Sequence, residues 1–275
     1  MGIKLFIINF INSKKIKGSF LDKISAFLTL NRLLIKRKLS PSKNTIVQER
    51  FFGFKFKGFD YSTIDYLFNE IFILNEYFFT PNTNAPIIID CGSNIGMSVL
   101  YFKRLYPSSN IIAFEANPYA YKLLVENLTI NNINDVALHN IALYNCETEI
   151  SFFIGDNLGT LLGSLNSTRG GCKEIKMNTK KLSDYLKNFE SIDLIKMDVE
   201  GAEDYIVDDL INSSAINKVK EFIIEYHHNM NGDKSNLSAF LLKFELNGFS
   251  YNIKSEYERI NTFQDLRIHF YKKNT

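Results

Sequence analysis

The stretch IIIDCGSNIGMS, residues 87–98, decides how the rest of the chain is read. Three isoleucines run into a carboxylate, Asp90, and two glycines then bracket a short polar turn. Beyond it Ile95, Val99, Phe102 and Tyr106 recur at helical spacing, so the segment predicts a strand, a tight turn and a helix. In open α/β sheets, ligands bind at such strand-to-helix openings. Gly92 and Gly96 supply unusual φ angles and allow close backbone approach. Their spacing is G-x-x-x-G, with Asn94 where a dinucleotide fingerprint needs its second glycine. Asp90 is a further objection to a dinucleotide. A carboxylate at the mouth of the turn repels a pyrophosphate, which favours bare N–H groups at a helix N-terminus. It suits a ligand that brings positive charge. S-adenosylmethionine meets that description, with an ammonium, a sulfonium and no phosphate.

The next segment, NIIAFEANP (110–118), is another apolar run ending in an acid, Glu115, nineteen residues after Gly96. An acid there can accept hydrogen bonds from both hydroxyls of a ribose, a sugar that NAD and S-adenosylmethionine share. Asn117 and Pro118 open the following helix. The two acids, in this order and register, point to an adenosine-type cofactor.

From residue 86 onward short apolar runs alternate with helical patterns, which predicts a parallel α/β sheet. Strands are expected near 87–91, 110–115, 136–140, 192–198, 220–226, 247–253 and 265–271, and helices near 95–105, 118–130, 181–188, 203–211 and 235–246. Before this lies an N-terminal extension, residues 1–80, joined to a main domain, 81–275. The extension predicts a basic amphipathic helix over 18–38, a strand or hairpin in FFGFKFKGFDYS (51–62) and a helical stretch over about 63–79. GDNLGTLLGSLNSTRGGC (155–172) is glycine-rich and is expected to be a lid or substrate loop.

Composition fits a globular protein: 45% hydrophobic and 23% charged residues, with 24 Phe, 14 Tyr and no Trp. Cys91, Cys146 and Cys172 lack metal-ligand spacing and read as free thiols in a reducing compartment. The net charge of +2 conceals an asymmetry. Residues 1–50 hold eleven Lys and Arg against Asp22 and Glu49, hence +9, which leaves −7 for the remainder. The run LFIINFI (5–11) is too short to span a bilayer, and no small-residue cleavage site follows it. A cytoplasmic protein is expected. Residues 1–40 offer either a peripheral contact with the inner face of a membrane or a packing helix with a solvated basic face.

IDCGSNIG (89–96), AFEANP (113–118), HNIAL (139–143), IDLIKMDVEGAE (192–203) and FIIEYH (222–227) together resemble the FkbM-type methyltransferases, a branch of the class I S-adenosylmethionine-dependent enzymes. The resemblance implies a Rossmann-like, seven-stranded, mostly parallel sheet with an antiparallel last strand. It also implies cofactor contacts by Asp90, Gly92, Ser93, Asn94, Ile95, Gly96, Glu115, Ala116, Asn117 and Asp198. Asn140, Ile141 and Ala142 would lie near the adenine. Members of this family are associated mostly with O-methylation of sugars and other small or glycan-linked hydroxyls.

A hydroxyl acceptor needs its proton removed. The candidates are Asp198 and Glu200, after the fourth strand of the core, and Glu225 and His227 at the end of the fifth. Asp198 or His227 could act as general base, or Asp198, Glu225 and His227 could hold a hard ion such as Mg²⁺. Lys196, mid-strand, is expected to pair with a nearby acid, and His139 and His269 to be structural. A small-molecule or glycan acceptor is expected, and no nucleic acid, since MDVEG (197–201) lacks the D/N-P-P-Y/F pattern and the half beyond residue 50 is acidic. The alternatives are a nucleic-acid methyltransferase, or a non-catalytic binding protein of the same fold anchored through its basic N-terminus.

Overall fold

The computed structural model describes residues 2–40, 45–155, 163–164, 171–230, 236–255 and 263–272. The N-terminal segment opens with two helices, α1 (Gly2–Ser13) and α2 (Phe20–Leu39). Ser19 caps α2, its hydroxyl accepting from the Asp22 N–H while Asp22 returns a bond to the Ser19 N–H. A hairpin follows, β1 (Val47–Phe51) and β2 (Phe54–Gly58), then α3 (Tyr61–Leu67), which runs into a π-helical turn at Phe68–Ile73. α1 goes beyond the sequence expectation, which took residues 5–11 only as a short apolar run. Among the described residues, no helix is long and apolar enough to cross a membrane.

The main body continues through β3 (Ile87–Cys91), α4 (Met97–Leu105), β4 (Asn110–Phe114), α5 (Pro118–Thr129) and β5 (Val136–His139). Next come β6 (Ala142–Leu143), β7 (Glu149–Ile154), β8 (Gly163–Ser164) and β9 (Lys173–Lys180). The chain then forms α6 (Leu182–Tyr185), β10 (Ile192–Met197), α7 (Glu203–Asn212), β11 (Val219–His228), α8 (Leu237–Leu246), β12 (Phe249–Lys254) and β13 (Gln264–Lys272). Seven strands make the central sheet, in the order β12-β13-β11-β10-β3-β4-β5. β10 lies between β11 and β3 with every residue buried, which explains its near-continuous apolar sequence IDLIKM. β13 runs antiparallel to both β11 and β12. That is the mostly parallel, Rossmann-like arrangement expected. Two registers matter for the site: Lys196 stands opposite Asp90, and His227 opposite Asp265.

A second sheet, β6-β9-β7-β8, is absent from the strands the sequence predicts. Its longest strand, KEIKMNTK, is largely solvated, so its alternation is carried only by Ile175 and Met177. The glycine-rich segment expected as a lid lies mostly outside the described residues; its residues Gly163 and Ser164 form β8.

One face of the central sheet shares its apolar core with the N-terminal segment, where Leu30, Leu33, Phe56 and Phe72 cluster with Ile88 and Val99. The opposite face is built from Ile89, Ile195 and Phe222 with the rings Phe240, Phe244 and Phe270. Asn127 on α5 and Asn131 in the turn after it hold the hairpin edge: each donates to and accepts from the backbone of β2, at Lys57 and Lys55 respectively. His139 packs between Phe114 and Tyr185, and His269 pairs with Glu221 at 2.7 Å.

Candidate active site

The carboxyl ends of β3, β4 and β10 meet at one edge of the sheet. The turn after β3 takes left-handed φ at Gly92 (+82°), Asn94 (+49°) and Gly96 (+91°). Asparagine tolerates that conformation, and here its Oδ1 accepts from the Ile95 N–H at 2.8 Å. Gly92 is required by a close approach. A Cβ added there would lie 1.8 Å from the carbonyl oxygen of Asp198. The turn is tied to β4 by the N–H groups of Gly92 and Ser93, which both donate to the Phe114 carbonyl at 2.9 Å.

Glu115 follows β4 and is buried. One of its oxygens accepts from the Asn94 N–H and the other from the Asn117 N–H, both at 2.7 Å. Each oxygen keeps a second lone pair, so the carboxylate can still receive two hydroxyl donors. Burial pushes its pKa up to about 7, against the pull of those two N–H groups. Glu115 lines a cleft of about 660 Å³, part of it open to solvent, with Gly92, Asn94 and Asp198. Phe114, Ile141, Ala142, Leu143, Ile150 and Phe152 give the same cleft apolar walls. A diol acceptor beside apolar walls fits an adenosine group.

Of the residues expected at the cofactor, Gly92, Asn94, Glu115, Ala116, Ile141, Ala142 and Asp198 line this cleft. The others support it. Ser93 Oγ donates to the Asp90 carbonyl at 3.0 Å, and Ile95 is fully buried. Gly96 is the N-cap of α4, and Asn117 caps α5 by accepting from the Tyr119 N–H at 3.0 Å. Asn140 donates to the carbonyls of Glu115 and Ala116, at 2.8 and 3.1 Å, and so braces their loop.

Asp90 requires a correction. The sequence argument had its charge facing the ligand, but its side chain is completely buried, 3.3 Å from Lys196 Nζ. Its other oxygen accepts from Ser98 Oγ at 2.5 Å. Lys196 also donates to the Gly92 carbonyl at 2.6 Å. The charge that seemed to await a cationic ligand is met inside the protein.

A cluster of acids surrounds His227 at the end of β11. The Asp198 N–H donates to the Cys91 carbonyl at 3.0 Å, which carries β10's alignment one residue past its end. The chain then turns through Glu200 (φ +55°) and Gly201 (φ +107°), with Ser164 Oγ donating to the Glu200 carbonyl at 2.7 Å. The left-handed region is costly for a glutamate, so the surroundings must enforce it. His227 Nδ1 lies 2.7 Å from Glu203 Oε1. Its Nε2 lies 3.1 Å from Glu200 Oε2, 3.9 Å from Asp198 Oδ1 and 3.8 Å from Asp265 Oδ1. Burial opposes a charge on the ring, but Glu203 and Glu200 outweigh it and hold its pKa well above the ordinary value. Asp198 is pushed up to about 8, first by burial and then by the charge of Glu225.

The expected metal triad of Asp198, Glu225 and His227 is also corrected. The groups that converge are Asp198, Glu200 and His227, and separately Glu225, His227 and Asp265. Glu225 accepts from Arg267 at 2.9 Å. Arg267 also pairs with Glu76, whose pKa burial raises to about 8. Sequence reasoning missed Asp265 and Arg267, which only the antiparallel register of β13 brings here, and the contact of Glu203 with His227. Glu225, Asp265 and Arg267 line a neighbouring cavity of about 1060 Å³, open to solvent, with Tyr66, Glu70 and Phe263.

A cleft across the strand ends, with an acid after the second core strand and a reversed last strand, defines the Rossmann-like fold of class I S-adenosylmethionine-dependent methyltransferases. The crystal structure of methyltransferase FkbM from Methylobacillus flagellatus KT shares it, with a TM-score of 0.51 and 12% identity, over 96% of this chain and 58% of that one. Residues 90–251 match the family described as the methyltransferase FkbM domain, and the chain belongs to that family. It is 30% identical over 160 residues to Methyltransferase 1 of Beauveria bassiana, covering 51% of this chain and 64% of that protein. It is 29% identical over 138 residues to 2-O-methyltransferase NoeI of Sinorhizobium fredii, covering 44% and 56%. The chain thus spans less than two thirds of the length of these relatives.

Proposed function

We propose that this protein transfers a methyl group from S-adenosylmethionine to a hydroxyl of a sugar, a glycan or a related small molecule. The observation that carries this reading is the position of the acid cluster. Asp198 and Glu200 line the cofactor cleft, while Glu225 and Asp265, which meet at His227, line the adjoining cavity. Groups able to take a proton therefore stand between the two spaces. Glu115 would hold the ribose, and the walls from Phe114 to Phe152 the adenine. When bound, S-adenosylmethionine supplies a methyl on a positively charged sulfur. Asp198 accepts the proton of the acceptor hydroxyl, with a bound divalent ion, Mg²⁺ or another, as the other way of lowering that hydroxyl's pKa. Tyr66 and Phe263 offer ring faces, and Glu70 and Asp265 hydrogen-bond acceptors, to a polyhydroxylated acceptor. The likeness to a 2-O-methyltransferase supports oxygen as the methylated atom.

The test is a panel of sugar and nucleotide-sugar acceptors incubated with methyl-labelled S-adenosylmethionine, with and without EDTA. Transfer to a hydroxyl supports the reading. Failure to bind S-adenosylhomocysteine in a folded preparation overturns it.

We further infer that α1 and α2 dock on an anionic membrane surface. Phe6, Ile7, Phe10 and Ile11 on α1, and Phe20, Leu21 and Leu28 on α2, are each at least half exposed. They belong to the segment with a net charge of +9. Apolar side chains within a basic field suit a lipid interface with negative headgroups.

A further inference from the structure

We propose that His227, Asp198 and Glu200 bind a divalent first-row transition-metal ion, with Glu203 orienting the imidazole. The proposal rests on a buried, misplaced atom. His227 Nε2 is shut off from solvent and makes no hydrogen bond, although three carboxylates surround it. Leaving a buried polar nitrogen unsatisfied carries a real cost, and an electron-pair acceptor at that spot removes it.

The spacing is that of donors sharing one ion. Ligand atoms about 2.1 Å from a metal lie about 3.0 Å apart at right angles and about 3.9 Å apart near 140°. Nε2 stands 3.1 Å from Glu200 and 3.9 Å from Asp198, and the three groups lie within 4.8 Å of one another. The far side of the ring is equally specific. Glu203 Oε1 lies 2.7 Å from Nδ1 and is itself held by the Gly201 N–H at 3.1 Å. A carboxylate on Nδ1 keeps the proton there when Nε2 gives up its own to a metal ion, which is how metal-bound histidines are supported. The left-handed Glu200 is then explained as well: the strained turn keeps its carboxylate on the ring.

The donor set also selects the ion. One imidazole with two carboxylates suits Mn²⁺, Fe²⁺ or Zn²⁺, whereas Mg²⁺ favours oxygen ligands and retains its waters. The site lies between the cofactor cleft and the cavity, so its ion would act as a Lewis acid on the acceptor hydroxyl. That role, though not the site itself, rests on the methyl-transfer reading.

The experiment is a titration of the purified protein with Mn²⁺, followed by the paramagnetic resonance of the free ion. S-adenosylhomocysteine binding is measured by calorimetry on the same preparation. One Mn²⁺ per chain is expected. Glu203→Gln should weaken it about tenfold to a hundredfold. Glu200→Gln, which removes a charged ligand, should weaken it at least about tenfold. No Mn²⁺ binding by the wild-type protein, or binding unchanged in both variants, overturns the site. Mn²⁺ binding with these losses but no S-adenosylhomocysteine binding leaves the site standing and overturns the methyl-transfer reading.

Discussion

Lys196 and Asp90 stand opposite each other on neighbouring parallel strands, 3.3 Å apart and both shut off from solvent. The pair sits beneath the cofactor turn, because Lys196 also donates to the Gly92 carbonyl and Asp90 accepts from Ser98 at the start of α4. Removing one partner leaves a buried, uncompensated charge, which typically costs about 3–5 kcal/mol. Lys196→Met should therefore destabilise the protein by roughly that amount in urea unfolding. The double variant Asp90→Asn/Lys196→Met should recover most of the loss. An additive double variant would show that the two charges do not compensate each other.

Glu115 links stability to pH. Its folded-state pKa, raised from 4.5 to about 7, means that the folded protein holds this proton more tightly than the unfolded chain. Its contribution to stability is fully present below about pH 4.5 and is lost as the pH rises through about 7. Glu115→Gln removes that titration, so the decline of Tm between about pH 5 and 7.5 should flatten. The same variant should bind S-adenosylhomocysteine at least about tenfold more weakly, since an amide accepts only through its single oxygen.

At Gly92 the backbone leaves no room for a side chain. Gly92→Ala would place a methyl against the Asp198 carbonyl and force a left-handed alanine. A loss of about 3 kcal/mol or more is expected, read from chemical denaturation. Gly53→Ala is the control, since it shares a positive φ but its added Cβ meets nothing within 4 Å.

Asp198→Asn keeps the shape of the cleft and removes the charge. Turnover should fall about 10²- to 10⁴-fold, while S-adenosylhomocysteine affinity stays within a few-fold of wild type. Equal losses in both would make Asp198 a cofactor contact only.

The N-terminal helices give a prediction in a different assay. The protein should float with phosphatidylglycerol vesicles, less with neutral ones, and less still at high salt. Phe6→Ser/Phe10→Ser should abolish flotation at a cost of about 1–3 kcal/mol in unfolding free energy, since both rings are half exposed and otherwise pack edge-on against Phe27.

The central sheet was legible because its inner strands are buried on both faces and read as mostly apolar runs, as in IDLIKM and FIIEY. The second sheet was not, since β9 faces water along most of its length. Glu115 was legible from its distance to the glycine turn. Asp90 was misread because an acid at a strand end looks the same whether it meets a ligand or a lysine on the next strand. Lys196, a lone cation in a buried strand, was the clue to its partner. Asp265 and Arg267 carried no local signal, as only a long-range antiparallel register brings them to His227 and Glu225.

Asn127 and Asn131 give the N-terminal segment its lasting consequence. Their side-chain amides pair with β2 as a neighbouring strand would, and Asn127 also donates to the Ile95 carbonyl in the cofactor turn at 2.8 Å. The hairpin is thereby indexed to the glycine turn through Asn127, with Asn131 just past the end of α5 as a second anchor. A relative could exchange its whole N-terminal segment, and with it Tyr66 and Glu70 of the cavity wall, provided the new hairpin met those same two asparagines. On the proposed methyl-transfer reading, acceptor preference would then travel with that segment while the glycine turn stays put.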